Sequence, residues 1–117
     1  MANSTGSDWT YAAAVGGITS STAAVSIKPA TTGQRTWVSS CQIMADTGGV
    51  ATELVIRDIT TTTVLFRTKI PTTGITFGNS FSFDPPLQTG VGNGVEIVAL
   101  TATTNSIYLN AQGFTAP

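Results

Sequence analysis

The residues able to do acid–base, nucleophilic or metal chemistry are few in this chain, and their spacing assembles no catalytic set. There is no histidine, which removes the commonest general base and metal ligand. The single cysteine, Cys41, lies in the middle of "TWVSSCQIMA" (36–45), and alternation puts it on one face with Trp37, Ser39 and Ile43. With no histidine to activate it, it reads as a buried, inert thiol, and it has no partner for an intrachain disulfide. The six carboxylates, Asp8, Asp46, Glu53, Asp58, Asp84 and Glu96, are scattered over strand ends and loops. Folding could bring two together as a glycosidase pair, and calcium could use Asp46 or Asp84. The plain reading is a set of solvated loop ends. "GVGNG" (90–94) has the composition of a phosphate loop, but a strand follows it, so no helix N-terminus is offered to a phosphate; it reads as a turn. Lys28, Arg35, Arg57, Arg67 and Lys69 are too few, and the aromatics too dispersed, for a nucleic-acid platform. The expectation is a structural or binding protein without enzymatic activity, metal or cofactor.

Composition points the same way. A chain of 117 residues has room for one domain. Hydrophobic residues make up 41%, but charged residues only 9%, against roughly 25% in an average soluble protein. Thr, Ser, Gly, Asn and Gln must cover most of the surface, and such a surface has little to repel a copy of itself. The net charge of −1 gives no electrostatic reason to bind nucleic acid or an anionic membrane. No apolar run reaches the roughly 18 residues of a membrane span. The start of the chain lacks a basic n-region, and Asp8 precedes "AAAVGG", so no signal peptide is expected. Asn3-Ser4-Thr5 fits the glycosylation pattern, but without secretion it reads as a chance match. Much of the surface is therefore expected to be covered by neighbouring subunits, copies of the same chain among them, as a dimer or trimer.

The elements that must position these residues are strands. "WTYAAAV" has helix-forming residues, but "GG" cuts it off within two turns. Strands are expected at 22–28, 36–45, 52–58, 64–70, 79–84 and 94–100, with a last one at the closing "SIYLNAQGFTAP". Pro85-Pro86 is expected to end the fifth. "TELVIRD" and "VLFRTKI" form the clearest pair, an antiparallel hairpin across "ITTTT". It sets Leu54 and Ile56 against Phe66 and Val64 and brings Glu53 near Arg67 or Lys69. Short strands with no helices between them indicate an all-β fold, an antiparallel β-sandwich or jelly roll of seven to eight strands over residues 22–117. Residues 1–21, rich in Gly, Ser, Thr and Ala with Trp9 and Tyr11 isolated among them, read as an extended N-terminal arm.

The closing strand alternates. Ile107, Leu109 and Ala111 share one face, expected in the core, and Tyr108, Asn110 and Gln112 the other. That second face is neutral and hydrogen-bonding, as interfaces often are; its alternative is a merely solvated sheet face. Trp9 and Tyr11 likewise either dock on a neighbour or pack on their own domain.

The segments "DWTYAAAVGGI", "ATELVIRD", "VLFRTKI", "FDPPL" and "IYLNAQGF", in that order over about residues 8–114, resemble small virion proteins of tailed bacteriophages, among them capsid decoration (cement) proteins. "YLNAQGF" is the strongest element. The resemblance implies a β-sandwich bound in many copies to the outside of a capsid. Its partners would be the major capsid protein and sister copies, with synthesis in the host cytoplasm. It implies no catalytic residues. Tail-fibre or receptor-binding modules share this composition and are the alternative.

Overall fold

The computed structural model describes residues 7–45, 50–71 and 77–117. Among them are eight strands and no helix: β1 (Asp8–Tyr11), β2 (Val25–Lys28), β3 (Arg35–Ala45), β4 (Thr52–Asp58), β5 (Val64–Ile70), β6 (Phe77–Gln88), β7 (Val95–Ala99) and β8 (Ile107–Ala116). They form two antiparallel sheets of four, with strand orders β1-β8-β3-β6 and β2-β7-β4-β5. β4 and β5 make the one hairpin within a sheet; every other connection passes from one sheet to the other.

The sheets stack because period-two alternation gives each an apolar side. Val38, Cys41 and Ile43 of β3 and Ile107, Leu109 and Ala111 of β8 join Leu54, Ile56, Val95, Ile97 and Ala99 of the second sheet in one core, none more than 1% exposed. At one margin Phe66 of β5 meets Phe81 and Phe83 of β6, each at a centroid distance of 4.9 Å, a spacing that favours tilted aromatic pairs. The β4–β5 hairpin forms as expected, displaced by two residues: Ile56 lies opposite Phe66 and Leu54 opposite Thr68. A two-residue slip leaves every side chain on its face, and Arg67 Nη1 reaches Glu53 Oε1 at 2.7 Å.

Three expectations are corrected. Trp37 does not share a face with Cys41. A bulge at Ser39, between the pairs Val38–Gly113 and Ser40–Gln112, reverses the phase of β3, so Val38 enters the core and Trp37 faces out. Gly113 accommodates it, because a Cβ there would strike the Trp37 carbonyl and lie 2.7 Å from the Trp9 ring. Secondly, β6 runs through Pro85-Pro86 to Gln88. It is an edge strand, where a residue without an N–H leaves no ladder bond unmade, and the pairing with β3 skips from Ser82 to Leu87.

Thirdly, the described part of residues 1–21 is not an arm. Asp8–Tyr11 pairs with Ala111–Phe114 of β8. Ile18 exchanges backbone hydrogen bonds with Ile107 at 2.8 and 2.9 Å, and Ser20 N donates to Thr103 O at 2.7 Å. Trp9 and Ile18 are core residues, so the sandwich begins before residue 22. Residues 1–6, with the Asn3-Ser4-Thr5 triplet, and Asp46 lie outside the described residues.

Candidate functional site

The chemistry-bearing residues stay apart. Among the described residues no three His, Cys, Asp or Glu side chains cluster as a metal site. Burial pushes the Cys41 thiol up to about 11, so it stays protonated and unreactive near neutral pH. Asp58 departs from the solvated loop end expected of it: it is 2% exposed. Its Oδ1 accepts from Thr60 N and Thr61 N at 2.8 and 3.1 Å, and its Oδ2 from Gly90 N and Asn93 Nδ2, both at 3.0 Å. Burial alone would raise its pKa, but the hydrogen bonds from Asn93, Gly90, Thr61 and Thr60 outweigh that and lower it. The arrangement locks the β4–β5 loop to the 90–94 turn. An acidic residue opening a Thr-rich loop is the Asx-turn signal that marks it in the sequence.

The two outward sheet faces differ in charge. On the second sheet Glu53, Arg57, Arg67, Lys69 and Glu96 point outward. The Arg57–Glu96 pair, at 2.6 Å, and the Glu53–Arg67 pair flank Val55 and Val98. Those valines are opposite each other and 1% and 5% exposed. Such long side chains cover apolar surface with their stems.

The first sheet presents a neutral face built in rows across the strands. Thr10, Gln112, Ser40 and Ser82 form one row, Asn110, Gln42 and Ser80 the next, and Tyr108, Met44 and Gly78 the third. A fourth row of Asp8, Phe114, Trp37 and Gln88 bounds one end. There Trp37 and Phe114 stack at 5.5 Å with planes 9° apart, and Arg35 turns to the Thr89 carbonyl, 2.9 Å away. Across the three rows inside this boundary no side chain carries a charge; exposed Asp84 lies outside those rows, on β6 between Ser82 and Gln88.

The centre of the face is pre-ordered. Gln112 Oε1 accepts from Ser40 Oγ at 2.6 Å and from Gln42 Nε2 at 3.0 Å, and Gln112 Nε2 donates to Gln42 Oε1 at 2.9 Å. The two carboxamides thus hold each other flat on the sheet, and a partner meets donors and acceptors whose rotamers are already fixed. Met44, 55% exposed, adds an adaptable apolar contact beside them.

Of the five residues singled out from the sequence, three lie on this face and two do not. Gln112 is its centre. Asn110 serves the fold as well, its Oδ1 accepting from Ala13 N at 2.9 Å. Tyr108 is half-buried beside Gly17, whose φ of +58° and closeness to the Ile107 carbonyl exclude a side chain there. Trp9, 9% exposed, packs in the core of its own domain. Tyr11 packs against the core and lines an apolar cavity of about 50 Å³ with Ile18, Ile97 and Leu109. Ser40, Gln42, Met44, Trp37 and Phe114 were not anticipated. Gln42 and Met44 could have been found from their alternation with Cys41 and Ile43; Trp37 was concealed by the bulge.

No family model matches the chain, and no curated protein matches it.

Proposed function

We propose that this chain is a non-enzymatic structural protein that coats the exterior of a phage capsid, attaching through the neutral face of its first sheet. The observation that carries the reading is the Ser40–Gln112–Gln42 network within three uncharged rows of side chains. Burying such a face costs little desolvation, whereas burying unpaired charge costs several kcal/mol per ion. The strand order β1-β8-β3-β6 over β2-β7-β4-β5 supports a jelly roll, an architecture recurrent in viral capsid and lectin domains. The phage resemblance points to the same setting, and Tyr108, Asn110 and Gln112, the outward residues of the closing strand, lie on this face.

Size sets how such a protein acts. Four strands about 4.8 Å apart and four rows deep give a face on the order of 400 Å². That is half the roughly 800 Å² per partner of a standard interface. Each copy therefore binds weakly, and reinforcement comes from many copies on a repeating lattice of major capsid protein.

A second reading, a tail-fibre or receptor-binding module, is favoured by one feature: the Trp37–Phe114 stack beside carboxamides. Aromatic rings next to amides suit a sugar.

Purified protein added to capsid shells lacking it separates the two. Cement binds in many copies over the head, with little change between low and high salt because the face is neutral. A few copies at the tail, or displacement by host glycan, would establish the fibre reading instead.

A further inference from the structure

Sheet edges are pairing templates, and folded proteins blunt them with charge, proline, bulges or shortness. Three of the four edges here are blunted. β1 spans four residues and carries Asp8; β2 spans four, with a register shift before Lys28; β5 carries Arg67 and Lys69. The fourth edge, β6, differs over its first half. The stretch "FGNSFSF" (77–83) has neither charge nor proline, pairs regularly with β3 from Phe77 to Ser82, and exposes Gly78, Asn79, Ser80 and Ser82.

We infer that β6 is a self-association edge: two copies of this chain pair β6 to β6 antiparallel about a two-fold axis at Ser80. Ser80 N donates to its neighbour's Asn79 Oδ1 at 2.9 Å, so this amide points to the free edge and not into the β3 ladder. Along an antiparallel edge every second residue faces out in this way, giving Gly78, Ser80 and Ser82 as the outward set. Centring the axis on Ser80 sets Gly78 against Ser82 of the other copy and Ser80 against itself. The result is about six backbone hydrogen bonds, two per hydrogen-bonded pair. The Asn79 side chain, exposed and rotatable, gives up the Ser80 amide to the incoming carbonyl.

Charge selects a second copy as the occupant. A two-fold contact places each residue near its own image, and 77–83 has no charge to repel its image, whereas β5 would oppose Arg67 and Lys69 to themselves. The pairing also joins two neutral faces side by side, raising the continuous surface from on the order of 400 Å² to on the order of 800 Å². It is independent of what that surface binds, so its failure leaves the capsid reading standing, and the converse.

The test is self-association in solution, followed by sedimentation and by cross-linking of a new thiol. The native Cys41 is buried, so Ser80→Cys supplies the accessible thiol. Its image should lie at about 5.5 Å between Cα atoms, inside the disulfide range. Oxidation should link Ser80→Cys at least roughly tenfold faster than the exposed loop variant Thr61→Cys, which meets its image only by diffusion. Asn79→Lys and Ser80→Pro should each abolish the sedimenting dimer. The first adds an edge charge, and the second removes an amide that β3 does not use; their melting curves confirm that each folds. Equal linking rates for Ser80→Cys and Thr61→Cys would overturn the proposal. So would a dimer that survives both substitutions, since it would use another surface.

Discussion

Gln42 and Gln112 hold each other by reciprocal carboxamide hydrogen bonds of 3.0 and 2.9 Å across neighbouring strands, outside the core. Neither side chain is needed to fill the sandwich, yet both are fixed. Order of that kind on an outer face would serve recognition, because the rotamer entropy is lost before a partner arrives.

Gln112→Glu tests that use with nearly no change in shape. The carboxylate still accepts from Ser40 and Gln42 but no longer donates to Gln42 Oε1, so stability should change by no more than about 1.5 kcal/mol, one net hydrogen bond. It also puts a charge in the middle of the neutral face, where burial is costly. Particle binding should weaken by at least roughly tenfold, about 1.4 kcal/mol. Unchanged binding by a folded variant would place attachment elsewhere.

The strand β1 gives the second prediction. Trp9 packs in the core against the Gly113 position, so Trp9→Ala should destabilise by about 3–5 kcal/mol, as aromatic truncations in cores do. Removing residues 1–21 should do more, since Ile18 and the β1–β8 ladder go with it, and the product should melt early or stay unfolded. A truncated chain that melts like the full one would restore the arm.

How much was legible follows from where the pattern is local. The β4–β5 hairpin, though not its register, could be read because apolar alternation and a Glu53 contact with Arg67 or Lys69 both require these strands to pair antiparallel; the observed register lies two residues away. On β8 ten residues alternate without interruption, so both its faces were readable, and with them Tyr108, Asn110 and Gln112. On β3 each half alternates correctly, but nothing in "WVSSCQ" marks Ser39 as the extra residue, so Trp37 was assigned to the wrong side. For Trp9 the sequence leaves core and neighbour both open, because a four-residue strand shows too little period to stand out from "GSDWTYAAA". Pro85-Pro86 misled because whether proline ends a strand depends on whether a partner needs its N–H, and an edge position is a tertiary fact.

Leu109 and Tyr108 are adjacent in the chain and should fail in different ways. Leu109 is 1% exposed between the sheets, so Leu109→Ala leaves a cavity and should cost about 2–5 kcal/mol. Tyr108 is half-buried on the outer face. Tyr108→Ala should stay within about 1 kcal/mol of the parent, as surface changes do, while lowering particle binding, since interface aromatics often carry much of the affinity. Melting curves and a particle-binding assay on both variants check this. Early melting of Tyr108→Ala with full binding would mean that its ring serves the β1–β2 connection near Gly17 and not the partner.

Asp58 contributes to how the fold responds to acid. Its pKa is lowered in the folded state, because the four hydrogen bonds outweigh the burial that opposes them. A carboxylate depressed on folding adds stability above its unfolded pKa, near 3.9, and that stability drains away as pH falls through the lower folded value. Denaturant midpoints measured between about pH 6 and pH 2 should therefore hold steady and then decline below about pH 4. Asp58→Asn should flatten part of that decline. At neutral pH it should cost about 1.5–3 kcal/mol, the worth of a hydrogen bond to a charged group, because the new amide turns an N–H towards the Gly90 and Asn93 donors or towards Thr60 and Thr61. If the variant keeps the parent's stability at pH 7 and the same acid slope, the link between the β4–β5 loop and the 90–94 turn does not depend on the Asp58 charge.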